Sequence, residues 1–188
     1  MTPLLQPADC CVLLIDPRRQ NIGTLEQPDQ QALIHCFNLV QTAVSTAAVP
    51  LFFAIEGASS DVDKCFGEPF QASSPRVHRL GDNGQSWTNS GIAAALAAEK
   101  RDCLVLGGFW LETTVTFMAL HALSNGFDVF LLMDATPSRA QDARVPSANR
   151  LLQAGIVPTT THQLVAEWAE QVTDQTLRMS LAQLIRIS

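Results

Sequence analysis

A chain of 188 residues with 47% hydrophobic and only 16% charged residues can bury a sizeable core without disulfides or a structural metal. Its net charge of −6, with Arg18-Arg19 and Lys100-Arg101 as isolated basic pairs, gives nucleic-acid binding little electrostatic support. No apolar run reaches the roughly 18 uncharged residues of a membrane span, and residues 1–7 carry no basic residue before their short apolar stretch. Neither a membrane nor a secretory destination is therefore expected, and the cytoplasm is the default.

The elements alternate from end to end. Residues 10–15 form a continuous apolar run closed by Asp16-Pro17, the pattern of a strand buried on both faces. Over residues 30–48, Leu33, Cys36, Phe37, Val40, Val44 and Ala47 recur on one helical face. Pro50 introduces a strand at 51–55, and residues 56–90, rich in Gly, Pro, Ser, Asn and Asp, read as a long excursion of loops. A helix over 92–99, a strand over 103–106 and a helix over 112–124 follow, the last stopped by Asn125-Gly126. A strand over 128–133 ends in Asp134. Next comes a helix near 140–154 with Pro146 at a start or kink. A strand near 156–160 and helices near 162–171 and 174–185 complete the chain. This spacing predicts a single domain over residues 1–188. It is a three-layer α-β-α, doubly wound parallel sheet of about six strands. The last helix is apolar at Leu177, Met179, Leu181, Leu184 and Ile185, so it packs on its own domain or on a neighbouring subunit.

The five cysteines (Cys10, Cys11, Cys36, Cys65 and Cys103) are odd in number and have no Cys-x-x-Cys spacing, so five reduced, structural thiols are expected. No His, Asp or Glu group has metal-ligand spacing, and no cofactor is expected. His35, His121 and His162 fall in helical patterns or at a helix start and read as surface or interface residues.

Ligands of open α/β sheets bind beyond the carboxyl ends of the strands, which singles out three places. Asp16 ends the first strand and suits proton transfer, or equally a turn before Pro17. Gly107-Gly108-Phe109-Trp110-Leu111-Glu112-Thr113-Thr114 turns a strand into a helix, whose free N–H groups suit an oxyanion; Thr113 and Thr114 serve equally well as helix caps. The stretch from Pro75 to Trp87 mixes cations, amides and an aromatic, the residue types of a small-molecule pocket.

These three places together resemble the isochorismatase-like cysteine hydrolases, in particular their compact bacterial branch, over nearly the whole chain. The resemblance rests on Leu13-Leu14-Ile15-Asp16, on Arg79-Leu80-Gly81 with Ser86-Trp87-Thr88-Asn89, and on Gly108 to Val115. It continues through Ala119-Leu120-His121-Ala122 to Gly126-Phe127-Asp128-Val129 and Asp134-Ala135. Such enzymes use an aspartate as general base, a lysine that orients it and a cysteine nucleophile. The resemblance puts Asp16 at the aspartate, Arg79 near the lysine and Thr114 at the cysteine. It also implies a non-proline cis peptide around Phe109-Trp110 and a homo-oligomer, a dimer or larger.

An arginine keeps the charge of a lysine but does not shuttle a proton, and a threonine hydroxyl is a poor nucleophile unless a base activates it. Two functions follow. One is a hydrolase of small amides, imides or vinyl ethers, with Asp16 as acid/base, Arg79 on an anionic group and Thr114 with the amides of 111–114 as a cradle. Trp87, Phe53, Phe109, Trp110, Leu111 and Thr113 then surround the substrate. The other is a non-catalytic binding or assembly protein that keeps the fold.

Overall fold

The computed structural model describes residues 4–56, 76–81 and 86–187. Lys64, Cys65, most of the 56–90 excursion and Asp82-Asn83-Gly84-Gln85 lie outside the described residues. Six strands form one sheet: β1 (Cys10–Ile15), β2 (Leu51–Glu56), β3 (Arg76–Leu80), β4 (Cys103–Gly108), β5 (Asp128–Leu132) and β6 (Val157–Thr159). Their order is β3-β2-β1-β4-β5-β6 and every pairing is parallel. The helices are α1 (Arg19–Ile22), α2 (Gln27–Thr46), α3 (Ser86–Asn89), α4 (Ile92–Ala98), α5 (Thr116–Ser124), α6 (Gln141–Ala154), α7 (Thr161–Gln171) and α8 (Gln175–Ile187). This is the predicted three-layer, doubly wound architecture. The chain leaves β1 in one direction for β2 and β3 and returns to β4 on the other side, so the switch point lies between β1 and β4.

The apolar run of β1 explains its central place. Cys10, Val12 and Leu14 enter one core with α2, α7 and α8, through residues such as Phe37, Val40, Trp168 and Leu181. Cys11, Leu13 and Ile15 enter the other with α4, α5 and α6, through Ile92, Leu96, Met118 and Leu151. All six β1 residues are fully buried. Each large side chain among them contributes about 1.5–3 kcal/mol. The C-terminal helix α8 packs on α7 and α2, with Leu181 wholly buried and Met179 left exposed. Among the described residues no helix is long and apolar enough to cross a membrane.

Several boundaries differ from expectation. The excursion expected to be loop contains β3 and α3; β3 is an edge strand with two arginines and a histidine in five residues, a pattern that protects an edge from pairing but hides it from an apolar-run reading. β4 runs on through Gly107-Gly108 because pairing with Leu14 and Ile15 continues. The helix expected from Glu112 begins as one π turn, Leu111–Val115, before α5. Of the two places expected for Pro146, a helix start or the helix interior, the structure shows the second, which leaves α6 one N–H short.

Candidate active site

The first side of the site is built where β1 ends. At Asp16 the backbone enters the left-handed region, φ 47°, which aspartate tolerates better than most residues. The Arg18 N–H then donates to the Asp16 carbonyl at 2.7 Å and closes a tight turn. That turn folds the Arg18 guanidinium back onto the Asp16 carboxylate: Nε reaches Oδ1 at 2.5 Å and Nη2 reaches Oδ2 at 2.7 Å. From α1, Asn21 Nδ2 donates to Oδ2 at 2.7 Å and to the Asp16 carbonyl at 2.9 Å. Asp16 and Arg18 are only 3% and 8% exposed, so the pair is a buried, two-pronged ion pair.

β4 brings the second side. The Phe109 N–H donates to the Ile15 carbonyl at 2.8 Å. Gly108 sits at φ 119°, where a Cβ would lie 2.0 Å from that same carbonyl oxygen, so only glycine fits. The peptide between Phe109 and Trp110 is cis. Beyond it the Leu111 N–H donates to Pro137 O at 3.0 Å and the Thr113 N–H to Trp110 O at 3.2 Å. Two of the amides expected to form a cradle are thus turned inward.

β2 supplies the third side. Glu56, at its last position and half-buried, accepts a hydrogen bond from the Thr114 hydroxyl, Oγ1 to Oε1. A carboxylate beside a hydroxyl is the arrangement that draws off a hydroxyl proton.

The turn is braced by Glu112. Its carboxylate accepts Ser138 Oγ and the Arg139 N–H, both at 2.8 Å. Partial burial works against its ionisation, but hydrogen bonds from its own N–H, Ser138 and the backbone of Arg139 and Ala140 outweigh that and hold the carboxyl below its usual value. The Arg139 guanidinium lies 5.1 Å from the centre of the Trp110 ring. Behind this brace opens a cleft of about 280 Å³, between the start of α2 and the start of α6, bordered by Asp29, Leu33, Asp134, Thr136, Ser138 and Arg144.

The expected site residues are thus placed in different ways. Asp16, Thr114, Phe109 and Trp110 lie at the ends of the neighbouring strands β1 and β4 or on the turn after β4. Phe109 is a core residue, packed 6.3 Å from Phe37 and 4.8 Å from Trp110, and Phe53 is buried with it in the same core. Leu111 and Trp87 lie in the opposite core layer, Leu111 fully buried and Trp87 stacked on His121 and edge-on to Phe127. Thr113 is exposed. Arg79 is exposed on β3 opposite Ile55, two strand spacings or about 10 Å from β1. The cation on Asp16 is Arg18. Sequence reasoning missed Arg18, Asn21 and Glu56. An acid following a fully buried strand needs a close cation or donor, and that rule would have found Arg18.

The sequence matches the Isochorismatase domain family over residues 10–163. The chain belongs to the isochorismatase family. The Probable hydrolase YcaC of Escherichia coli K12 is 36% identical over 81 residues, a match spanning 43% of this chain and only 38% of that protein. The crystal structure of the E. coli YcaC gene product, an octameric hydrolase of unknown specificity, superposes with a TM-score of 0.82 at 21% identity, covering 98% of this chain and 90% of that one. YcaC from Pseudomonas aeruginosa, solved with hexane-2,5-diol and covalent acrylamide, gives 0.77 at 18% identity over 100% and 98% of the two chains. At these identities the two structures show a shared fold.

Proposed function

We propose that this isochorismatase-family protein is a hydrolase of small amides, imides or vinyl ethers that works without a cysteine nucleophile, Thr114 standing at the cysteine position. The hydrogen bond from Thr114 to Glu56 carries the reading. Glu56 takes the proton-transfer duty expected of Asp16, because both Asp16 oxygens are already engaged by Arg18 and Asn21. For an amide, Thr114 Oγ1 bonds to the carbonyl carbon while its proton passes to Glu56. The same proton then goes to the departing amine as the C–N bond breaks. Water, deprotonated by Glu56, releases the acyl group and restores the hydroxyl. Arg79 holds an anionic group of the substrate, and Trp110 covers it.

The test is turnover of a panel of amides, esters, imides and isochorismate by the wild type, Glu56→Gln and Thr114→Val. Loss of at least about a hundredfold in kcat in both variants is expected; undiminished turnover in Glu56→Gln overturns the assignment.

The engagement of Asp16 also favours a second reading, a binding or assembly protein with a retired site. Tight binding of small acids by a protein with no turnover on the panel selects it. Under either reading residues 1–188 act as one cytoplasmic domain that assembles into a homo-oligomer, as the octameric E. coli YcaC does. Sedimentation showing only a 20.4 kDa species removes the assembly.

A further inference from the structure

The opposite end of the sheet carries a second chemistry. Cys10 and Cys103 are the first residues of β1 and β4, and they are register partners across these adjacent parallel strands. Register partners of parallel strands project to the same face, and both side chains pack against the same core. Adjacent strands lie about 4.8 Å apart, inside the Cα separation of about 4.4–6.8 Å that a disulfide spans. Strand ends also adjust more easily than strand middles. Cys10 is buried, whereas Cys103 is half-buried and reachable from outside. Both are free thiols.

We propose that Cys10 and Cys103 form an oxidisable dithiol, a reactive centre at the N-terminal edge of the sheet that small uncharged peroxides convert to an inter-strand disulfide. The roles of the two sulfurs follow from their surroundings. The Cys10 thiol hydrogen-bonds to the Cys103 sulfur and lowers the Cys103 pKa from its usual value; the same bond and burial push Cys10 up. Cys103, half-buried and reachable from outside, is the attacking sulfur, and the buried Cys10 the resolving one.

The charges around the pair select the oxidant. Asp128, Asp9 and Asp102 all oppose negative charge at Cys103. Arg101 donates to the carbonyls of Pro7 and Cys10 at 2.7 and 2.8 Å, which holds it at this edge with its charge intact, and Lys100 precedes it in the same turn. The three carboxylates outnumber Lys100 and Arg101, so the local charge disfavours anionic oxidants and leaves neutral hydrogen peroxide unaffected.

The Cys103 thiolate attacks one peroxide oxygen, the O–O bond breaks, and hydroxide leaves to become water. The Cys10 sulfur then attacks the resulting sulfenic acid and displaces its hydroxyl, which leaves as a second water with the Cys10 proton. Two thiols and one hydrogen peroxide thus give one disulfide and two waters, with two electrons passing from sulfur to oxygen. The product ties together the two strands whose other ends carry Asp16 and Gly108.

The experiment treats the full-length protein under native conditions with hydrogen peroxide, then blocks remaining thiols with N-ethylmaleimide in denaturant. The expected product has two fewer alkylated cysteines and a mass lower by two hydrogens. A non-reducing tryptic digest joins the peptides 1–18 and 102–139, and fragmentation places the link at Cys10 rather than Cys11. In Cys10→Ser, dimedone traps a sulfenic acid at Cys103. Oxidised glutathione, an anion, forms the same link several-fold faster at high salt than at low salt, while the peroxide rate stays constant. A link through Cys11 or Cys65, over-oxidation of Cys103 with Cys10 still free in the wild type, or only inter-chain disulfides overturns the proposal. A glutathione rate independent of salt overturns the charge selection.

Discussion

Asparagine accepts the left-handed backbone of Asp16 about as readily as aspartate does, so Asp16→Asn isolates the charge of the buried ion pair from its turn. The side chains of Arg18 and Asp16 are only 10% and 4% exposed. Removing one partner of a buried pair strands the other charge and typically costs about 3–5 kcal/mol. Asparagine keeps one oxygen for the Arg18 Nε donor, which points to the lower end, about 3 kcal/mol. For a chain of this length that is a fall in Tm of about 6–12 °C at fixed protein concentration. Arg18→Met strands the carboxylate with Asn21 alone and costs a similar amount. The double variant has no stranded charge, so its loss is smaller than the sum of the singles by about 3 kcal/mol. Denaturant melts of all four proteins measure this coupling. Additivity within about 0.5 kcal/mol refutes the buried pair.

Three further outcomes test the frame around that pair. Gly108→Ala, which sets a Cβ against the Ile15 carbonyl at a positive φ, costs at least about 4 kcal/mol and is read as loss of folded protein on expression. Glu112 is held below its usual pKa, so its contribution is complete above the unfolded carboxyl value of about 4.3 and fades as the pH falls through the folded one. Wild type and Glu112→Gln should therefore differ by about 1 kcal/mol at pH 7 and draw together in urea melts as the pH falls below the unfolded carboxyl value and through the folded one. Thr160 caps α7 by accepting the Gln163 N–H at 3.2 Å, and Thr160→Ala lowers Tm by about 2–4 °C.

What was legible in the sequence tracks how completely each element is buried. β1 and β4 are central strands, buried on both faces, and their apolar runs announce them; Gly108 and Asp16 inherit their places from those runs. β3 was illegible because an edge strand is half solvent-facing and can be built from arginine and histidine. Glu56 was missed for a related reason. The apolar run ends at Ile55, so the next residue reads as loop, yet parallel pairing with β3 carries the strand one position further and sets the carboxylate beside Thr114. Arg18 reads as one of an isolated surface pair until the left-handed turn at Asp16 folds it inward. Partners brought together by a single unusual φ, or by a contact 58 residues away in sequence, leave no periodicity to read.

The pairing of Thr114 with Glu56 also gives a physical reason for a hydroxyl, rather than a thiol, at this position. A thiol nucleophile works as the thiolate, which an adjacent carboxylate disfavours through its charge. A hydroxyl needs the opposite neighbour, a base to take its proton. Thr114→Cys alone should therefore yield a sluggish thiol, although the proposed reading sets Thr114 at a cysteine position. Adding Glu56→Gln removes the repelling charge, and alkylation of the introduced thiol by iodoacetamide at pH 7.5 should accelerate about 3- to 10-fold. Competition with free cysteine in the same tube corrects for reagent, and mass spectrometry of the 102–139 peptide, which also contains Cys103, separates the two sites. Equal rates in the single and double variants would mean that Glu56 exerts no field at position 114. The carboxylate would then be a structural acceptor, and the base of the proposed hydrolysis would have to be sought elsewhere in the site.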